Sequence, residues 1–260
     1  MGMTAVIAEG LAYAVDGDDL VAGVDLTIEA GTFVGVVGPN GAGKTTLVRL
    51  LSGELAPGRG RVRIAGHDPG GTDPMTLARL RAVLPQQTVL HFAFRCLDVV
   101  MMGRHPHGDG DAEARVRAAM EITDTTRFAN RSYPTLSGGE QTRVSLARVL
   151  AQDTPVLFLD EPTGSLDLSH QELVMATLHG LTRSGSIVVA VLHDLNLATR
   201  FADRVLLMDR GRVVADGAPP EVLTVETIGT VYRVPIAVVP HPTLGYPLIV
   251  PGEEETRPGA

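Results

Sequence analysis

Eight consecutive residues, Gly38-Pro39-Asn40-Gly41-Ala42-Gly43-Lys44-Thr45, fit the spacing G-x-x-x-x-G-K-[ST] of a phosphate-binding loop. Of the 22 lysines and arginines in the chain, only Lys44 is lysine. A compact ammonium on a flexible stem reaches between the oxygens of two phosphates, where a planar guanidinium prefers forked contacts. The three glycines free the backbone to curl its N–H groups into an anion nest. The Thr45 hydroxyl is placed to ligate Mg²⁺. With Thr46 at the start of the next helix, residues 38–46 form the expected cradle for a nucleotide triphosphate.

Two further groups have the right chemistry for such a ligand. Asp160-Glu161 follows the apolar run Val156-Leu157-Phe158-Leu159. A carboxylate at a strand end can hold Mg²⁺ through its hydration shell, which suits Asp160. Glu161 can then orient or deprotonate the water that attacks the γ-phosphate. His193 follows a second apolar run, Ile187 to Leu192, and can donate a hydrogen bond to a γ-phosphate oxygen. Gln86 follows Leu84-Pro85 and can reach Mg²⁺ or the water; Gln87 is its rival, and spacing alone does not separate them.

Leu136-Ser137-Gly138-Gly139-Glu140 precedes a helix that runs from Gln141 to Ala151. Ser137 can cap that helix while Ser137, Gly138 and Gly139 offer N–H groups to an anion. One nucleotide needs only one cradle, so the second is expected to serve the nucleotide of another subunit in a two-fold pair. Tyr13 lies upstream of the loop and could stack on adenine. His105 and His107 lack a nearby third ligand, which makes a poor metal site.

These residues need a scaffold, and the chain supplies one. Thr32 to Val37 reads as a buried strand before the loop, and Thr45 to Leu51 as a helix after it, ended by Ser52-Gly53. Residues 4–30 read as β-hairpin material, Arg61 to Ile64 as a strand, Leu77 to Leu80 as a short helix and Ala82 to Leu84 as a strand. Helix formers dominate from about Arg95 to Leu150, which reads as a helical insertion. A helix from about Ser169 to Leu181 then separates the two apolar strands. Strands alternating with helices imply a parallel sheet. Arg204 to Asp209 and Arg212 to Ala215 read as a hairpin.

Composition narrows the setting. The 260 residues carry a net charge of −8, which argues against a nucleic-acid coat or a polybasic membrane anchor. No apolar run reaches the roughly 18 residues of a membrane helix. Met1 to Gly10 lacks the features of a secretory signal, and the one cysteine, Cys96, fits a reducing compartment. Together these describe a soluble protein of the cytoplasm, and they leave docking on a membrane protein open.

The ordered set of motifs resembles the ATP-binding subunit of an ABC transporter. It comprises the loop 38–45, Gln86, Leu136 to Glu140, Val156 to Pro162, Ser165-Leu166-Asp167 and His193, and the resemblance covers essentially the whole chain. It implies an α/β fold: a P-loop NTPase (RecA-like) parallel-sheet core with an antiparallel β subdomain. An inserted helical subdomain at about 88–153 completes one domain over 1–252, with a disordered tail at 253–260. It implies hydrolysis of ATP with Mg²⁺ by a head-to-tail homodimer. Lys44 and Thr45 are then the Walker A residues, Asp160 the Walker B aspartate and Glu161 the catalytic base. His193 is the switch histidine, Gln86 the Q-loop glutamine and Tyr13 the adenine-stacking aromatic. Asp167 lies in the D-loop at the dimer seam, where it and Ser137, Gly138 and Gly139 act across the dimer.

Val99 to His107 and Leu192 to Ala198 are similar to importers of iron chelates, haem and cobalamin. Leu146 to Gln152, Ser165 to Glu172 and His241 to Pro247 are similar to haemin importer ATPases. Thr142 stands where a second Gln is usual, and Gly164-Ser165 replaces Ser-Ala. The implied partners are two transmembrane permease subunits and, indirectly, a substrate-binding protein, with the chain peripheral at the cytoplasmic face of the membrane. A ferric siderophore or cobalamin is the alternative cargo. A soluble ABC ATPase acting on DNA or the ribosome would carry two nucleotide modules or long insertions, and a P-loop kinase or GTPase would lack Leu136 to Glu140.

Overall fold

The computed structural model describes residues 5–86, 88, 92–108 and 110–252. Gln87 and the tail 253–260 therefore lie outside the described residues. The chain opens with β1 (Ala5–Val15) and β2 (Asp18–Glu29), then β3 (Phe33–Val37) and α1 (Lys44–Leu51). β4 (Arg59–Ile64), α2 (Pro74–Leu80) and β5 (Arg81–Leu84) follow, then α3 (Cys96–Met101), α4 (Ala112–Ile122) and α5 (Gly138–Ala151). The second half holds β6 (Val156–Asp160), α6 (Leu168–Arg183), β7 (Ile187–Val191), α7 (Leu195–Phe201), β8 (Arg204–Asp209) and β9 (Arg212–Gly217). It ends with α8 (Pro219–Val222), α9 (Val225–Tyr232), β10 (Ile236–Pro240) and β11 (Pro247–Pro251).

The central sheet has the order β5-β6-β7-β3-β8-β9 and is parallel except for β9. β3, β6 and β7 are buried throughout, as continuous Val, Ile and Leu runs require when both faces are covered. Residues alternate between the faces. Val34, Val36 and Phe158 pack toward α1 and the antiparallel sheet β2-β1-β4, while Phe33, Val37 and Leu159 pack toward α6 and α7.

Parallel strands end on one edge, and their registers keep the ends level. Leu84 pairs with Leu159, Asp160 with Val191 and Val36 with Val191. The chain enters the sheet at β3 in the middle, so the strand order reverses there and a crevice opens above the carboxyl ends.

A third apolar cluster lies outside the sheet. It is built by α3, α4 and α5 from residues such as Val99, Val100, Val116 and Met120. Helix α5 belongs to two clusters, with Leu146 and Val149 against the sheet and Val144 and Ala147 in the helical cluster. Just beyond its end, Gln152 Nε2 donates to Ala78 O at 2.6 Å and Arg81 O at 3.0 Å, where α2 hands over to β5.

Several elements differ from the sequence expectation. α5 starts at Gly138, before Gln141, because Ser137 and Glu140 form a reciprocal cap that outweighs two glycines. The hairpin β10-β11 and helices α7, α8 and α9 had no counterpart in the sequence reading. Their apolar runs are short, and Pro235, Pro240, Pro247 and Pro251 break the strand pattern.

Candidate nucleotide site

The loop between β3 and α1 is shaped by its glycines. Gly43 holds φ 96°, and a Cβ there would lie 2.2 Å from Leu20 O. Gly38 holds φ 148°, and its Cβ would meet Met208 O at 2.2 Å. No other residue fits either position. The β8–β9 turn supports the loop, with Gly211 N donating to Ala42 O at 3.0 Å. α1 then begins with Leu47 N donating to Gly43 O at 2.8 Å, which leaves its first N–H groups aimed into the loop.

Lys44 folds back over this nest. Its Nζ donates to Gly38 O at 2.8 Å and Pro39 O at 2.9 Å. Burial lowers the Lys44 pKa, and the neighbouring Glu161 and Asp160 carboxylates offset part of that. The loop borders a cavity of about 250 Å³ whose walls include Leu20, Asn40, Lys44, Thr46, Glu161 and His193.

Three other strand ends converge on it. Asp160, the last residue of β6, is buried and accepts a hydrogen bond from Thr45 Oγ1 at 3.2 Å. Burial raises the Asp160 pKa, and the Thr45 hydroxyl pulls it back. Glu161 leaves the strand in the left-handed region at φ 54°, a conformation that costs a non-glycine residue about 1 kcal/mol or more. That turn aims its carboxylate across the sheet edge. Glu161 Oε1 accepts from Gln86 Nε2 at 2.9 Å, beyond β5, and meets His193 Nε2 at 2.5 Å, beyond β7. One oxygen thus joins three loops.

The donor set fits a hard divalent cation. Thr45 and Asp160 offer oxygens beside the loop, and the Gln86 amide borders the same groove as both. So few protein oxygens suit Mg²⁺, which keeps several waters and takes the rest of its shell from phosphate. Among the described residues no cluster of three or more His, Cys, Asp or Glu forms a metal cage.

Five expected site residues lie away from the Lys44 cavity. Ser137 caps α5, its N donating to Glu140 Oε2 at 2.8 Å, and neither it, Gly138 nor Gly139 borders the Lys44 cavity. Gly138 borders a separate cavity of about 440 Å³ with Gln86, Glu161 and Ser165. Asp167 caps α6, accepting from His170 N at 3.0 Å and Ser169 Oγ at 2.9 Å, and these bonds hold its carboxyl down to about 2. Tyr13 sits in β1, packs partly against the sheet core and is absent from the Lys44 cavity wall. Leu20 takes a place in that wall instead. A leucine that follows the polar stretch Asp16 to Asp19 gave no signal of it.

A family model described as ABC transporter matches residues 21–164, over half of the chain. The chain belongs to the ABC transporter family. The hemin import ATP-binding protein HmuV of Nocardia farcinica is 50% identical over 88% of this chain and 81% of its own length. The protein of the same name from Streptomyces coelicolor is 46% identical over 96% of this chain and 91% of its own. Among solved structures, one described as an inward-facing conformation of a metal-chelate type ABC transporter superposes with TM-score 0.81. It is 25% identical and covers 96% of this chain and 98% of that one. A dimeric ATP-binding cassette in a post-hydrolysis state, bound to ADP and Pi, gives TM-score 0.75 at 28% identity, over 82% of this chain and 98% of that one. The chain is thus an ABC-type ATPase with the α/β fold of that family. Among the described residues no helix is long and apolar enough to cross a membrane.

Proposed function

We propose that this chain is the ATP-hydrolysing subunit of an importer that carries haemin across the cytoplasmic membrane. One observation carries the ATPase part: Glu161 Oε1 meets both Gln86 and His193 beside the only lysine-bearing loop. The names of the two relatives support the cargo.

In this reading the triphosphate lies against residues 38–46, with the amides of the loop and α1 on its oxygens and Lys44 Nζ between the β- and γ-phosphates. Thr45, Asp160 and Gln86 would hold Mg²⁺, which would offset charge on the phosphate oxygens. Glu161 takes a proton from water as its oxygen bonds to the γ-phosphorus. The bond from the γ-phosphorus to the bridging oxygen breaks, and ADP leaves with the electron pair. His193 donates to a γ-phosphate oxygen, and Tyr13 lies upstream to meet the adenine.

Ser137, Gly138, Gly139 and Asp167 act on the nucleotide of a second copy in a head-to-tail homodimer. The dimeric cassette bound to ADP and Pi supports that arrangement. Residues 1–252 serve as one cassette with its helical insertion at about 88–153. Two such subunits drive two transmembrane permeases, served by a substrate-binding protein, and reach the membrane only through them.

The test is reconstitution of the chain with its permease in vesicles. ATP-dependent uptake of haemin is expected. Uptake of a ferric siderophore or cobalamin in its place would overturn the cargo, and a complex that turns over no ATP would overturn the motor.

A further inference from the structure

The turn that carries His193 is tied at both ends. Its front end meets Glu161 through the imidazole. Behind it, Asp194 caps α7, its Oδ1 accepting from Asn196 N at 2.7 Å. Asn196 then points its own amide away from the nucleotide cavity. Its Nδ2 donates to Ile249 O at 3.2 Å, and its Oδ1 accepts from Ile249 N at 2.8 Å. One side chain thus satisfies both backbone groups of a residue in β11. Ile249 is itself buried in the apolar cluster that α6 and α7 share with the sheet.

The same C-terminal stretch reaches the phosphate loop. α9 ends at Tyr232, whose phenol faces the backbone of Gly38, the first residue of that loop. Arg233 then turns the chain at φ 57°, and Gly252 N donates to Pro235 O at 2.8 Å, closing the base of the β10-β11 hairpin. The β10-β11 hairpin therefore braces the His193 turn from behind, through the two hydrogen bonds between Asn196 and Ile249.

We propose that Asn196 is a positioning residue for hydrolysis, and that the β10-β11 hairpin serves as the brace that fixes the His193 imidazole against Glu161. This rests on the role given to His193 above. Neither Asn196 nor Ile249 touches the nucleotide cavity, so their effect reaches ATP only through where the imidazole stands. Residue types agree with this use. A backbone carbonyl and N–H pair one residue wide is matched by a planar amide, which offers N–H donors on one side and an acceptor oxygen on the other. An aspartate offers only acceptors.

The experiment compares Asn196→Ala, Asn196→Asp, His193→Ala and the His193→Ala/Asn196→Ala double variant in the full chain, assembled with its permease. Loss of two hydrogen bonds that orient a reacting group should lower kcat about tenfold in Asn196→Ala. KM for ATP should stay within about twofold, because the loop amides and Lys44, which carry most of the triphosphate contacts, are untouched. Asn196→Asp keeps the acceptor for Ile249 N but turns a carboxylate oxygen toward Ile249 O, so it should be no faster than Asn196→Ala. The double variant should be no slower than His193→Ala, since both act through one imidazole. Wild-type kcat in Asn196→Ala, or a multiplied loss in the double variant, overturns the proposal. Full turnover by His193→Ala would show instead that the role of His193 had failed, and the brace with it. Should Asn196→Ala not fold, hydrogen exchange in the unmodified chain decides. Exchange at the Ile249 amide should slow when a non-hydrolysable ATP analogue with Mg²⁺ binds, and unchanged exchange overturns the coupling.

Discussion

His193 and Glu161 meet at 2.5 Å, imidazole Nε2 to carboxylate Oε1, and Gln86 shares the same oxygen from the other side. A carboxylate so placed borders the nucleotide cavity, where a water can give it a proton. The amide of Glu161→Gln keeps the shape and an acceptor but loses the basicity. This variant should bind ATP, dimerise, and hydrolyse at least about 100-fold more slowly, the scale of a lost general base. Phosphate release and size-exclusion chromatography with ATP check it. Normal turnover would remove Glu161 from the base role.

Lys44 Nζ already sits between two carbonyls of its own loop. Lys44→Ala should weaken ATP binding by roughly 10- to 100-fold, the equivalent of one or two charge-assisted hydrogen bonds. Lys44→Arg should not restore it, because a guanidinium is too broad for the nest. Calorimetric titration measures both, and unchanged affinity would count against the loop.

Asp160 is a buried carboxylate whose pKa is raised by desolvation. A folded-state pKa above the unfolded value means stability that is full below the unfolded pKa of about 3.9 and lost as pH rises through the folded one. At neutral pH the ionised Asp160 therefore works against folding. Asp160→Asn should raise the thermal midpoint by roughly 2–4 °C if about 1 kcal/mol is recovered, while abolishing Mg²⁺-dependent hydrolysis. Calorimetry and ATPase assays without added nucleotide in the former test the opposition, and a lowered midpoint would refute it.

Tyr232 is pushed up to about 12 by burial, although the Gly38 backbone favours its phenolate. Its folded pKa lies above the unfolded value near 10, so its share of stability is full below pH of about 10 and lost between about 10 and 12. Burial also raises Tyr133, so ultraviolet titration should show two of the four tyrosines ionising late, and Tyr232→Phe should take one tyrosine out of that late phase. A titration indistinguishable from the variant's would contradict the packing of α9 on the loop.

Gly43→Ala should destabilise by about 1–3 kcal/mol or more, through a left-handed backbone and a Cβ driven onto Leu20 O. Urea denaturation reads this directly, and a wild-type midpoint would mean that the loop relaxes freely.

The catalytic edge was legible because each of its residues follows a short apolar strand, and parallel strands end together. Lys44, Asp160, His193 and Gln86 could be placed by counting from Val37, Leu159, Leu192 and Leu84. Distances between loops were not legible, so the shared oxygen of Glu161 had no sequence signature. Neither did the left-handed turn at Glu161, which glycine would ordinarily supply. Leu20 reaches the cavity through a carbonyl contact made by Gly43, a tertiary fact. The C-terminal brace escaped because Asn196 acts through the backbone of Ile249, where any residue type would serve.

Helix α5 spans 14 residues, about 21 Å from end to end. Its leading turn abuts Ser165, where a Cβ on Gly139 would come within 2.7 Å of the carbonyl. Its trailing end is fastened through Gln152 to the start of the strand that leads to Gln86. The helix cap at Ser137 and the root of the glutamine loop are therefore joined by one rigid element, so that a push on the cap is expected to reach the γ-phosphate pocket of the same molecule.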